Sequence, residues 1–95
     1  MKVCKVIGKA NASLKHQGLS GIKLLIVQEM LKEGSFTGKV HLCADPMGAG
    51  NGEIVAVSMG SRASAQYCGP DSVCDAIVVA ILDHLFLNEK EIYSK

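Results

Sequence analysis

Two sets of side chains in this sequence have the right types for covalent chemistry. His41 and Cys43 stand two apart in Lys39-Val40-His41-Leu42-Cys43-Ala44-Asp45, and Ser61 could be joined by Asp83 and His84. A nucleophile needs a base within hydrogen-bond reach and a third group to hold that base in place. Nothing in the spacing ties either set together. The three histidines, His16, His41 and His84, are isolated in the sequence and read as surface or rim residues. Asp45 could exchange a proton, but an Asp immediately before Pro46 at a strand end is ordinarily a turn-former. The four cysteines, Cys4, Cys43, Cys68 and Cys74, contain no C-x-x-C pair and have no histidine at zinc spacing. These residues predict no enzyme, no metal centre and no cofactor.

The most distinctive stretch is Asp45-Pro46-Met47-Gly48-Ala49-Gly50-Asn51-Gly52-Glu53, which leads into the apolar run Ile54-Val55-Ala56-Val57 and stops at Gly60-Ser61-Arg62. Three closely spaced glycines make a shaped loop of little bulk, suited to a ligand or to a neighbouring chain. A dinucleotide fingerprint would follow a strand and open a helix, with a wider gap before its third glycine. This loop opens a strand instead. The segment from Gly34 to Lys39 is equally unsuited to phosphate, because its glycines are too close and Val40 stands where a magnesium-binding hydroxyl belongs.

Ninety-five residues form one domain, 1–95, and a chain of this length buries only about 60–65% of the surface it exposes when unfolded. Yet 48% of the residues are hydrophobic and mean hydropathy is +0.26, with aromatics at only 4%. The aliphatic surplus predicts an interface. Ten cationic residues against nine acidic ones supply no field for a phosphate backbone, which argues against nucleic acid. No run approaches the ~20 apolar residues of a membrane span. The start, Lys2-Val3-Cys4-Lys5-Val6-Ile7-Gly8-Lys9, is too interrupted for a signal-peptide core, so the expectation is a cytoplasmic protein with buried, reduced thiols.

Along the chain, Lys2 to Lys15 alternates, with Cys4, Val6, Gly8, Ala10, Ala12 and Leu14 on one side. This predicts a strand with one wet face, bent near Gly8. A loop over His16–Gly21 follows. Ile22–Leu31 fits either a helix or a strand, and the strand reading is preferred. After a turn over residues 32–38, Lys39–Asp45 alternates again, with Val40, Leu42 and Ala44 expected inward. Ile54–Val57 is apolar on both faces, as a central or covered strand would be. Gly60-Ser61 offers a cap for a short helix over Arg62–Tyr67, ended by Cys68-Gly69-Pro70. Ala76–Leu82 is an uninterrupted apolar, β-branched run, which predicts a strand greasy on both sides and a buried contact with another chain. A last short strand is expected around Glu91-Ile92-Tyr93. The sum is a mainly β chain, a small OB-like five-stranded barrel with one or two short helices.

Taken in order, Lys5-Val6-Ile7-Gly8, Gly21-Ile22-Lys23-Leu24-Leu25-Ile26-Val27-Gln28, Asp45 to Val55, Gly60-Ser61 and Asp75 to Asp83 resemble the vertex shell proteins of bacterial microcompartments. These are the pentameric partners of the hexagonal shell tiles in carboxysomes and in ethanolamine, propanediol and glycyl-radical compartments. The resemblance spans nearly the whole chain. Where the family tends to read Gly-Ser-Ser-Ala-Arg, this chain has Gly60-Ser61-Arg62-Ala63-Ser64, so its arginine is displaced. Val73 stands where a proline is common, and Ala80 where a glycine is common.

The resemblance implies a homo-oligomer, a pentamer that closes the corners of an icosahedral shell beside hexagonal tiles, without nucleic acid, membrane or cofactor. It implies an axis or pore loop of Gly48, Ala49, Gly50, Asn51 and Gly52, and a subunit interface that includes Glu53, Arg62, Asp75, Ile77, Val79 and Ile81. Glu53 is expected to anchor the loop, and Arg62 and Asp75 to pair across subunits. Two other readings stand beside it: an OB-like module for single-stranded nucleic acid or a small ligand, and a cysteine-based redox or metal protein.

Overall fold

A computed structural model describes residues 1–11, 22–60 and 76–95. Alternation of side chains builds a closed barrel from β1 (Lys2–Ala10), β2 (Lys23–Glu29), β3 (Val40–Asp45), β4 (Ile54–Met59) and β5 (Ala76–Leu82). The strands run in the order β1-β2-β3-β5-β4, and β4 closes back on β1. All neighbours are antiparallel except β3 and β5, which are parallel and share the single paired position Ala44–Ile77 among the described residues. The expected helix over residues 62–67, and the continuation of the first strand past Asn11, lie outside the described residues.

The barrel interior is a compact aliphatic cluster of Cys4, Val6, Leu25, Val27, Cys43, Ala49, Val55, Val57, Ala76 and Val78. Each strand contributes alternate residues, as the pleat requires. Polar groups then continue the same inward rows at both ends. On β2 the row reads Lys23, Leu25, Val27, Glu29, and on β3 it reads His41, Cys43, Asp45. Lys23 meets Asp45 at one mouth, while Glu29 pairs with His41 and with Lys2 at the other.

This arrangement reverses the expected facing of β3. Val40 and Leu42 point outward and are 54% and 55% exposed, while Cys43 is fully buried. A strand period of two makes the choice of face all or nothing. Here the polar residues at each end of the strand, His41 and Asp45, take the inner row because each finds a charged partner there. Ala44 alternates with that row and is nevertheless buried, as are Ile54 and Ile77, so β4 is covered on both faces as its composition foretold.

Two bulges bend the wall. On β1 the chain takes two steps, Val6 to Gly8, while β2 takes one, Val27 to Ile26; Ile7 is the extra residue, and the bend falls where Gly8 suggested it. On β5 the same happens between Val78 and Ala80, leaving Val79 as the extra residue opposite Ala56 and Val57. Ile77, Val79 and Ile81 therefore do not share one face. Ala76, Val78 and Ile81 turn to the barrel cluster instead.

The expected final strand is the second half of a hairpin, β6 (His84–Leu87) with β7 (Lys90–Ser94). Its turn residues Asn88 and Glu89 both have left-handed φ, 53° and 63°, the two-residue geometry that suits strand twist. The side chains of Leu87 and Ile92 lie beside Gly34 in the β2–β3 turn. That turn is tied down by Gly38, whose N–H donates to the Glu29 carbonyl at 2.9 Å.

A Cβ at Gly38 would lie 2.8 Å from the Glu29 oxygen, a backbone atom with no room to yield, whereas one at Gly8 would meet Ile26 at an ordinary 3.6 Å. Gly38→Ala is expected to destabilise the fold by about 1–3 kcal/mol, and Gly8→Ala by less than about 0.5 kcal/mol. Urea denaturation of both variants checks this, and equal midpoints would remove the steric account of Gly38.

Candidate functional site

Asp45 ends β3 and is 4% exposed. A carboxylate so enclosed must be satisfied, and the following loop does it. Oδ1 accepts the N–H groups of Met47 at 2.9 Å and Gly48 at 3.1 Å, and Oδ2 accepts that of Ala49 at 2.7 Å. Lys23 Nζ lies 3.8 Å from Oδ2 and donates to the Ala49 carbonyl at 2.8 Å. Gly48 and Gly52 have φ of 83° and 87°, and a side chain at either would meet nothing, so glycine serves the backbone angle there. Ala49 turns into the barrel cluster and stoppers its mouth. Its side chain is buried, whereas Gly48, Asn51 and Gly52 are exposed.

The far side of the loop is braced by Glu53. Its Oε1 accepts the Gly50 N–H, its N–H returns to the Gly50 carbonyl at 3.1 Å, and its Oε2 meets Lys95 Nζ at 2.7 Å. Gly52 N–H donates to Val6 O and Val6 N–H to Glu53 O, which sews the loop to β1. The Lys95 ammonium, and then the Gly50 N–H, hold the Glu53 carboxyl below the usual carboxylate range. Glu53 in turn holds the Lys95 ammonium above the usual lysine range. At the opposite mouth the hydrogen bond from His41, ahead of Lys2, holds Glu29 low as well. A cavity of about 480 Å³ opens at the loop end, lined by residues that include Val6, Lys9, Lys23, Leu25 and Asn51. Lys23 is already committed to Asp45 and Ala49.

Among the described residues the candidate catalytic groups have other partners. His41 is engaged by Glu29, and Cys43 sits in the barrel cluster on the same inner row. His84 pairs with Glu91 at 3.1 Å on the hairpin, and Asp83 meets the Lys95 N–H through its backbone carbonyl. Ser61 lies outside the described residues, as do His16, Cys68, Cys74, Arg62 and Asp75. Burial, followed by the Glu29 carboxylate, pushes the Cys4 thiol up to about 11, which keeps it protonated and inert at neutral pH. Among the described residues no group of three or more His, Cys, Asp or Glu could hold a metal ion. Phe36, Phe86 and Tyr93 lie on the β2–β3 turn and the hairpin, off the barrel wall.

Of the residues expected at an interface, Ile77 is enclosed within its own chain, Ile81 leans on the barrel cluster, and Val79 keeps part of its surface at the bulge. Sequence reasoning missed the outward Val40 and Leu42. The period-two signal was present at Val40 and Leu42, with its sign inverted.

The described residues form a closed five-stranded barrel with a self-braced glycine loop and uncovered aliphatic side chains. The family model described as "Ethanolamine utilisation protein EutN/carboxysome" matches residues 1–83, and the chain belongs to that family. The carboxysome shell vertex protein CcmL of Thermosynechococcus vestitus is 38% identical over 95 residues, covering 100% of this chain and 96% of that protein. The solved structure of Gloeobacter violaceus CcmL superposes with a TM-score of 0.91 at 30% identity, covering 100% of this chain and 98% of the other. The pentameric microcompartment shell protein GrpN of Rhodospirillum rubrum superposes at 0.76 with 44% identity, covering 87% of this chain and 94% of its own. These relatives are structural shell components, not enzymes.

Asp45→Ala leaves three loop N–H groups without their acceptor and is expected to cost about 3 kcal/mol or more. Faster amide exchange confined to Met47, Gly48 and Ala49, together with a lower urea midpoint, checks it. For the Glu53–Lys95 pair the signs are opposite. A lowered Glu53 contributes stability above pH 4.5 that is lost as pH falls, and a raised Lys95 contributes stability below pH 10.5 that is lost as pH rises. The melting difference between the parent and Lys95→Met is therefore expected to shrink outside that window and with added salt. A difference that is constant with pH would show that the pair does not act through charge.

Proposed function

We propose that this chain is a vertex subunit of a bacterial microcompartment shell, one of five copies in a ring that closes the shell's corners in the cytoplasm beside hexagonal tiles. The observation that carries the reading is its 44% identity to a pentameric shell protein across 87% of its length. The uncovered apolar residues Ile7, Val40, Leu42 and Phe86 support it, since a small monomer has little reason to leave such groups in water. A head-to-tail contact that closes makes a ring. A sheet of hexagons is flat, and pentagons supply the curvature that lets it close around enzymes.

In this reading Gly48, Gly50, Asn51 and Gly52 crowd the symmetry axis, where small residues let neighbouring loops approach, while Ala49 seals the barrel behind them. Arg62 and Asp75 form a cross-subunit pair, and Val79 lies at the contact. Glu53 acts through the loop that it holds rigid. Exposed ion pairs are worth about 0–1 kcal/mol each, so apolar contacts supply most of the association.

Native mass spectrometry of the purified chain is expected to give a pentamer, and a monomer at micromolar concentration would overturn the reading. Val79→Asp is expected to disperse the ring into folded subunits with unchanged strand circular dichroism, because an unpaired charge at a buried contact costs several kcal/mol. Pentamers at the parent's concentration would remove Val79 from the interface.

A further inference from the structure

The glycine loop contains a chemically weak point. Of the three asparagines, Asn11, Asn51 and Asn88, only Asn51 precedes a glycine. An asparagine loses its amide when the backbone nitrogen of the next residue attacks the side-chain carbon Cγ and closes a five-membered ring. A side chain on that next residue hinders the approach, and Gly52 has none. Asn51 and Gly52 are also exposed, so water reaches both.

The fold keeps the two reacting atoms apart. The Glu53 N–H donates to the Gly50 carbonyl at 3.1 Å, which makes Asn51 and Gly52 the central residues of a turn. Gly52 has a positive φ of 87° and Asn51 does not, the pattern of a type II turn. Such a turn sets ψ of its first central residue at about +120°, which rotates the next nitrogen away from the Cβ that ring closure must eclipse. A second lock lies on the nitrogen itself. The Gly52 N–H donates to the Val6 carbonyl at 2.8 Å, and it must leave that partner before it can attack. Glu53 braces the turn from outside, taking the Gly50 N–H on Oε1 and the Lys95 ammonium on Oε2 at 2.7 Å. Lys95 is fixed in turn by its own N–H, which donates to the Asp83 carbonyl at 2.8 Å at the base of the hairpin.

We propose that Asn51 is a latent deamidation site, kept closed by the turn and by the Gly52–Val6 hydrogen bond, and that the Glu53–Lys95 latch sets how often it opens. On opening, the Gly52 nitrogen gives its proton to water and bonds to Asn51 Cγ. The Cγ–Nδ2 bond breaks, and Nδ2 takes a proton back from water and leaves as ammonia. Water then opens the succinimide at either carbonyl, giving aspartate or isoaspartate at position 51 and a new negative charge. Isoaspartate adds a methylene to the backbone, so the Gly52 N–H falls out of register with Val6 and the loop loses its seam to β1. The reaction needs no second copy of the chain, and its failure would leave the ring reading untouched.

The test follows position 51 at neutral pH by peptide mass spectrometry, and by methyl transfer from S-adenosylmethionine with an isoaspartyl methyltransferase. In guanidinium chloride, where turn and latch are both lost, Asn51 is expected to convert at least about tenfold faster than in the folded chain. Equal rates would overturn the closure, and no conversion in denaturant would overturn the site. Asn51→Ser is expected to abolish the methyl signal, and a signal that persists would place the chemistry elsewhere. Lys95→Met and Glu53→Gln, each checked for the parent's circular dichroism, are expected to raise the folded rate about two- to fivefold and to leave the denatured rate unchanged. Added salt, which screens the pair without any substitution, is expected to raise the parent's folded rate in the same direction. A folded rate indifferent to both substitutions and to salt would remove the latch.

Discussion

The buried carboxylate of Asp45 is the constraint on which the loop end of this molecule depends. It converts a glycine-rich loop, costly to order, into a fixed lid by collecting three consecutive N–H groups. That lid seats Ala49 in the barrel mouth and turns the remaining small residues outward. Lys23 joins the arrangement from β2, so strand register and loop conformation become one problem with one solution. At the other mouth Glu29, His41 and Lys2 do the equivalent work. The interior is thus an aliphatic column closed by charge at both ends, and these paired groups explain why a chain with so few aromatic residues can still enclose a defined core.

Much of this was legible in the residues. Alternation located β1 and β3, doubly apolar composition located β4 and β5, and Gly8 marked the bend in β1. The helix-or-strand ambiguity over Ile22–Leu31 resolved as a strand, whose inward row Lys23, Leu25, Val27, Glu29 mixes charge with oil. That mixing is also why β3 was assigned the wrong face. Hydrophobicity alone favours Val40 and Leu42 for the inside, and only the partners waiting at each end, Glu29 and Lys23, make His41 and Asp45 the better occupants. The bulge at Val79 was invisible for a different reason, since a register shift belongs to a strand pair and no single strand encodes it. The two-residue turn at Asn88-Glu89 escaped notice because it lacks the glycine that usually announces one.

The candidate site divided along the same line. The loop could be read from its glycine spacing, a local signal, whereas its brace at Glu53 came only from the family resemblance. The uncovered surface could be foreseen in amount, from the excess of aliphatic residues, but not in position. Where a sequence leaves oil over after filling its core, the fold decides which side shows it. Here it shows on the outside of β1–β3 and on the hairpin, two places that a reading confined to the longest apolar strand overlooks.

The seam between β3 and β5 carries one further consequence. Ala44 and Ile77, the single bridge that closes the cylinder among the described residues, are thirty-three positions apart, 77 less 44. Every other wall pairs strands in longer registers. Closing so short a register across that distance, on top of the still wider β1–β4 wall that joins Lys2 to Val57, costs chain freedom and returns little until neighbouring strands are in place. The cylinder therefore zips shut late during synthesis, after β5 has emerged, and until then two unsatisfied strand edges face the solvent. An unclosed subunit is the species most prone to stick to its own kind in the wrong register, so rapid capture of finished barrels would favour orderly shells over tangled ones.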